Sequence, residues 1–174
     1  MKKLIAFLLL AVAASFSAQA QVTSSLGLLY APDVDDLELG ALVASFGYRL
    51  DLENGFSVQP EVRGGIGVID DRFGVPGFGR ADVDLSNIFG FTLRGQYDVA
   101  NGAYFFAQPT YQRIELDVDL PAGAPAGIDF DDNAWEWGIE GGLGFRFNEK
   151  FGIEASYGVI DNDEVLNFAL RTWF

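Results

Sequence analysis

Apolar side chains recur at every second position through most of the chain. Along Leu42 to Leu52 the even positions carry Leu42, Ala44, Phe46, Tyr48, Leu50 and Leu52, and the odd ones include Ser45, Gly47, Arg49 and Asp51. A period of two gives a strand one greasy face and one polar face. The next run places Phe56, Val58, Pro60, Val62, Ile66 and Val68 opposite Ser57, Gln59, Glu61, Arg63, Gly65 and Gly67. Leu85, Phe89, Phe91, Leu93 and Tyr97 then alternate with Ser86, Gly90, Thr92, Arg94 and Gln96, and Phe105, Ala107, Pro109 and Tyr111 with Gln108, Thr110 and Gln112. A third pair sets Trp135, Trp137, Ile139, Leu143, Phe145 and Phe147 against Glu136, Gly138, Glu140, Gly142, Gly144 and Arg146. Its return strand sets Phe151, Ile153, Ala155, Tyr157 and Val159 against Gly152, Glu154, Ser156 and Gly158.

Two flanking runs, Val22 to Tyr30 and Leu166 to Phe174, bring the count to eight strands in up-and-down order. Asn54-Gly55 and Asn101-Gly102 are the strongest short hairpin signals, and Asn148-Glu149-Lys150 makes the third short turn. Four longer connections are predicted on the opposite side. The segments Phe56 to Pro60 and Phe105 to Pro109 read alike, as if two hairpins were copies. After Tyr111 the strand is expected to change face, since the apolar residues Ile114, Leu116 and Val118 fall on the other parity, which predicts a bulge or an exit from the bilayer there.

The first 20 residues stand apart. Met1-Lys2-Lys3 is a basic start, Leu4 to Phe16 an apolar run, and Ser17-Ala18-Gln19-Ala20 a small-x-small cleavage pattern, so residues 1–20 are predicted to be a cleavable signal peptide and 21–174 the barrel. Beyond residue 20 no apolar stretch approaches the roughly 18 residues of a spanning helix. A membrane protein of this pattern therefore crosses as a closed barrel, the other structure that satisfies its backbone in lipid.

The direction of the faces decides between a soluble and a membrane barrel. One face carries Phe, Tyr, Trp, Leu and Ile at nearly every position, too bulky a set for a narrow lumen but suited to hydrocarbon. The other carries Gly, Ser, Thr, Gln, Arg and Glu. Of the 25 acidic residues, none falls on the greasy face, where a charge is costly; Arg113 is the one basic exception and is expected at the outer rim. Tyr48, Tyr97, Tyr111, Trp135 and Trp137 suit aromatic girdles at the two interfaces. The predicted fold class is all-β, an eight-stranded antiparallel up-and-down transmembrane β-barrel in the bacterial outer membrane.

These features together resemble the small OmpA/OmpX-type outer-membrane barrels, including opacity-type surface proteins. The resemblance implies outer-membrane lipid and lipopolysaccharide as partners, a monomeric state, and a C-terminal signal of Leu166, Phe168, Leu170 and Phe174 read by the barrel-assembly machinery. Thr172 departs from the larger apolar residue common there.

Candidate chemistry is limited by composition. The chain has no Cys and no His, which excludes triads, thiol catalysis and the usual zinc sites. A net charge of −14 argues against nucleic acid as a partner. Arg49, Arg63, Arg94, Arg146 and Arg171 are predicted to share the lumen with Glu61, Glu136, Glu140 and Glu154, where desolvation requires them to pair into a plug. The alternative is a gated path for ions or small solutes. Clusters at Asp33 to Asp36, Asp117 to Asp119 and Asp129 to Asp132 offer weak divalent-cation ligation without a complete calcium-loop spacing, so no resident metal or cofactor is expected. The resemblance implies a non-enzymatic role in envelope integrity or in surface interaction through the acidic loops.

Overall fold

The computed structural model describes residues 20–34, 37–75, 79–119 and 135–174. Nine strands run β1 (Ala20–Val34), β2 (Leu37–Asp51), β3 (Phe56–Ile69), β4 (Asp71–Val75), β5 (Gly79–Asp98), β6 (Ala103–Asp119), β7 (Trp135–Arg146), β8 (Phe151–Ile160) and β9 (Asp163–Trp173). β3 and β4 occupy one stave in succession, both pairing with β5. Each stave is antiparallel to its neighbours, and β1 pairs with both β2 and β9, so eight staves close on themselves with no free edge around the wall. The only helical turns among the described residues are two three-residue 3₁₀ turns.

Those turns are where the Asn-Gly pairs lie. Asn54 and Gly55 adopt φ of 62° and 81°, Asn101 and Gly102 66° and 83°, and Asn and Gly tolerate this left-handed region best. The two turns are copies, but the strands after them are not in step. Phe56 stands two residues past Asn54 and Phe105 four past Asn101, an even offset that preserves which face points outward. At the third turn, Asn148 Oδ1 accepts from the backbone N–H of Lys150 and of Phe151, each at 2.8 Å.

The opposite end differs from the sequence reading. Four longer connections were expected, yet β8 and β9 are joined by Asp161 and Asn162 alone, at φ of 48° and 84°. β1 and β2 stay paired up to Val34 and Leu37. A bilayer needs strands of about 9–11 residues. With 15 residues in β1 and 20 in β5, the hairpins continue past that length and absorb sequence predicted as loop. The predicted signal peptide (1–20), all but Ala20, and residues 120–134 lie outside the described residues.

The two faces divide as alternation requires. Phe89 and Phe91 are about half exposed (51% and 50%), as are Leu143 (59%) and Phe168 (58%), while Arg63 (4%) and Glu140 (0%) are buried inside. Near the turn end Phe46 packs against Tyr48 and Phe56 against Tyr97. Tyr111, Trp135 and Trp137 form an aromatic group near the loop end, with Tyr111 4.9 Å from Trp135 and 4.6 Å from Trp137.

Candidate functional site: the filled interior

Inward positions of eight strands build the interior, and it has two layers. In the layer nearer the turn end, Arg94 of β5 is fully buried and donates to Glu154 of β8, Nη2 to Oε1 at 2.6 Å and Nη1 to Oε2 at 3.1 Å. Arg171 of β9 donates to the same carboxylate from Nε at 2.8 Å and reaches Glu61 of β3 from Nη1 at 2.6 Å. Arg63 Nη1 donates to Glu140 Oε1 at 2.6 Å, and the Ser156 hydroxyl donates to the other oxygen at 3.1 Å. Three arginines therefore meet three glutamates, and the buried charge sums to zero. Pairing of this kind makes burial tolerable, since an isolated ion in low dielectric is heavily penalised.

Uncharged neighbours complete the layer. The Tyr104 hydroxyl donates to Glu154 at 2.9 Å, and the Arg94 guanidinium lies 3.6 Å from the centroid of the Phe106 ring, a cation–π contact. Gln96 accepts from Arg94 at 3.0 Å and from Gln59 at 3.1 Å, then donates to Asp98 at 2.7 Å. Asp98 accepts from Arg49 at 2.7 Å, and Arg49 also donates to Asp51 at 2.6 Å, so the network reaches the turn end without a break. Arg146 sits beside Asp98 at 3.7 Å and over the Trp173 ring at 4.4 Å. The glycines opposite are spatially required. A Cβ on Gly144 would run into the Tyr104 ring and one on Gly142 into Phe106.

A void of ≈ 20 Å³ lies between Ser45, Thr92, Gln108 and the ion pairs, room for about one water.

The second layer, toward the loop end, is apolar. Leu29, Ala31, Ala41, Val43, Leu85, Ile88, Ile160 and Val165 pack together, with Ile114 and Leu116 against them. Two sequence readings are corrected here. Leu85 was assigned to the lipid face but is buried inside at 6% exposure, because the β5–β6 register shifts between Leu85 and Asn87 and the extra residue, Ser86, inverts parity above it. The bulge is therefore on β5, and β6 does not change face. Its even positions stay inward from Tyr104 through Gln112 to Leu116, and only the chemistry of the interior changes.

Of the nine residues predicted to share the lumen, eight enter the charged network just described. Glu136 stands apart, half-buried at the loop end. Sequence parity does not single out Tyr104 and Phe106, because aromatic residues occupy both parities around 104–106; Trp173, off the greasy face by parity, is buried with them. Arg113 is on the outer wall beside Phe89 and Trp135 and pairs with Glu115 at 2.7 Å. Leu166 is half-buried on the outer face, and Phe168, Leu170 and Phe174 are exposed there. Among the described residues no group of three potential metal-ligating side chains converges. The Asp129 to Asp132 cluster and the pair Asp35 and Asp36 lie outside them.

No helix among the described residues is long and apolar enough to cross a membrane. The strands carry the membrane-facing surface instead. Comparison with solved structures gives the same architecture. The attachment invasion locus protein Ail of Yersinia pestis, in complex with the heparin analogue sucrose octasulfate, matches with a TM-score of 0.55 and 13% identity, covering 88% of this chain and 96% of that one. A de novo designed transmembrane β-barrel matches with a TM-score of 0.55 and 9% identity, over 88% and 95%. At these identities the likeness is one of fold. No curated protein matches the chain in sequence. The model of the outer membrane protein beta-barrel domain matches residues 4–169, and with the closed wall, greasy exterior and ion-paired bore it places this chain in that family, in the bacterial outer membrane.

Proposed function

We propose that this barrel acts without catalysing a reaction, in envelope integrity or in surface interactions through acidic extracellular loops. One observation carries the reading: two successive layers block the interior, first neutralised ion pairs and then packed hydrocarbon. An ion crossing it would have to break buried pairs and then shed its hydration in the apolar layer, both costly. Where hydroxyls meet carboxylates inside, Ser156 on Glu140 and Tyr104 on Glu154, those carboxylates are already held by Arg63 and by Arg94 and Arg171.

With the short turns and both strand ends on the periplasmic side, the loop end faces outward and carries most of the acidic residues. At a net charge of −14, a polysulfated ligand of the kind bound to Ail is a poor match here, so partners are expected to be cationic or neutral.

Planar-bilayer recording tests the reading against a narrow pore. The plugged barrel is expected to give no steady conductance. Steady conductance that changes on Arg94→Ala would favour transport instead.

A further inference from the structure

Above the apolar layer the barrel opens into a cavity of ≈ 390 Å³. That is within the range of about 300–1,000 Å³ typical of small-molecule pockets. Its two sides differ. Leu39 of β2, Leu85 of β5 and Ile114 and Leu116 of β6 make a hydrocarbon wall and floor, joined by Ile160 and Val165. On the other side stand Glu136 of β7 and Asp161 and Asp163 at the β8–β9 turn.

The fold sets these three acids along one side of the cavity mouth. Gly138 pairs with Ile160, which sets Glu136 level with the turn, and the Asp161 N–H donates to the Trp137 carbonyl at 3.1 Å, fastening the turn to β7. Among the described residues lining the cavity there is no Lys or Arg. Carboxylates beside a low-dielectric floor focus negative potential into the concave space, attracting cations and repelling anions. Hydrocarbon on the facing wall rewards an apolar body in the same ligand.

We infer that this cavity is a binding site for a small amphipathic cation. The hydrocarbon body lies on Leu39, Leu85, Ile114 and Leu116, and the cationic head lies among Glu136, Asp161 and Asp163. The site uses neither the ion-pair layer nor the outer wall; its floor is the upper surface of the apolar layer, through Leu85, Ile114, Leu116, Ile160 and Val165.

The test uses the full barrel in zwitterionic nanodiscs with methyl-labelled Ile, Leu and Val, titrated with octyltrimethylammonium, octyl sulfate and tetramethylammonium. Octyltrimethylammonium is expected to shift the Ile114, Leu116, Ile160 and Val165 methyls saturably. Octyl sulfate and tetramethylammonium should bind those methyls at least about ten-fold more weakly, since one lacks the charge match and the other the hydrocarbon. The triple variant Glu136→Gln, Asp161→Asn, Asp163→Asn should lose about ten-fold in affinity for the cation while retaining the wild-type spectrum elsewhere. Asn accepts the left-handed backbone at position 161, so that change leaves the turn intact.

Equal binding of octyl sulfate would make the cavity a charge-indifferent apolar hole and overturn the inference. So would shifts confined to lipid-facing methyls, or undiminished affinity in the triple variant. A second variant, Ile114→Ala, guards against misfolding of the first. It keeps the acids and should weaken octyltrimethylammonium by shortening the hydrocarbon wall, and unchanged affinity there would also count against the site.

Discussion

Glu154 is the carboxylate on which the interior network depends most heavily. It accepts from Arg94 through two contacts, from Arg171 and from the Tyr104 hydroxyl, and Arg94 has no other carboxylate within hydrogen-bond reach among the described residues. Glu154→Gln preserves size and one acceptor oxygen but removes the charge and points an amide N–H₂ at donors. The layer then holds three arginines against two glutamates, with Arg94 fully buried and left only the neutral acceptors Gln96 and Gln108. Breaking a buried pair by removing one partner costs about 3–5 kcal/mol. The retained oxygen and the Arg171–Glu61 pair put the expected loss near the lower end, about 3 kcal/mol.

Reversible guanidinium unfolding in lipid vesicles, followed by tryptophan fluorescence, measures this as a lowered midpoint at unchanged slope. The double replacement Arg94→Met, Glu154→Leu removes a cation and an anion together, keeps the interior neutral, and is expected to lie closer to wild type than Glu154→Gln. A loss below about 1 kcal/mol for Glu154→Gln, the scale of a solvent-exposed pair, would refute the reasoning. So would a double variant less stable than the single one.

Two further outcomes follow from the outer wall and the loop end. Leu93, 53% exposed and midway between the Tyr97 and Trp135 aromatic groups, lies near mid-bilayer; Leu93→Arg is expected to cost about 2–4 kcal/mol in the same unfolding assay, against little for Leu93→Phe. At the loop end, the Asp71 carboxylate accepts from the backbone N–H of Glu38 at 2.9 Å and of Arg72 at 2.7 Å, and these bonds hold its pKa below the ordinary carboxylate value. With the folded value depressed, the stabilisation is present above the unfolded carboxylate pKa and lost as pH falls through the folded one. An NMR titration should therefore move the Glu38 amide signal with a midpoint below that of a free aspartate, and a midpoint at or above it would contradict the contact.

The architecture was legible because membrane barrels put the strongest contrast in chemistry on adjacent residues. Where one face is aromatic and the other is Gly, Gln or Arg, as along β7 and β8, parity alone assigns every side chain. The reading weakened where that contrast fades. At the loop end the interior is itself apolar, so Leu85, Ile114 and Leu116 looked like lipid-facing residues on a shifted strand. The Ser86 bulge inverts parity with no local sequence mark, since neither Gly nor Pro stands at it. Residue types fixed which charges had to pair, but not which partners met. Arg171 meets Glu154 across the β8–β9 hairpin, but Glu61 stands on β3, far away in sequence, and only closure of the barrel brings that pair together.

The three tryptophans test the central assignment of faces most directly. Trp135 (40% exposed) and Trp137 (68%) stand on the outer wall, while Trp173, one residue before the exposed chain end, is buried inside at 1%. In vesicles of brominated phospholipid, the Trp173→Phe variant, which keeps the outer pair, is expected to lose much of its fluorescence. The Trp135→Phe, Trp137→Phe variant, which keeps Trp173, should stay bright. Strong quenching of Trp173 with the outer pair unaffected would contradict the account, because lipid would then lie against the face assigned to the bore.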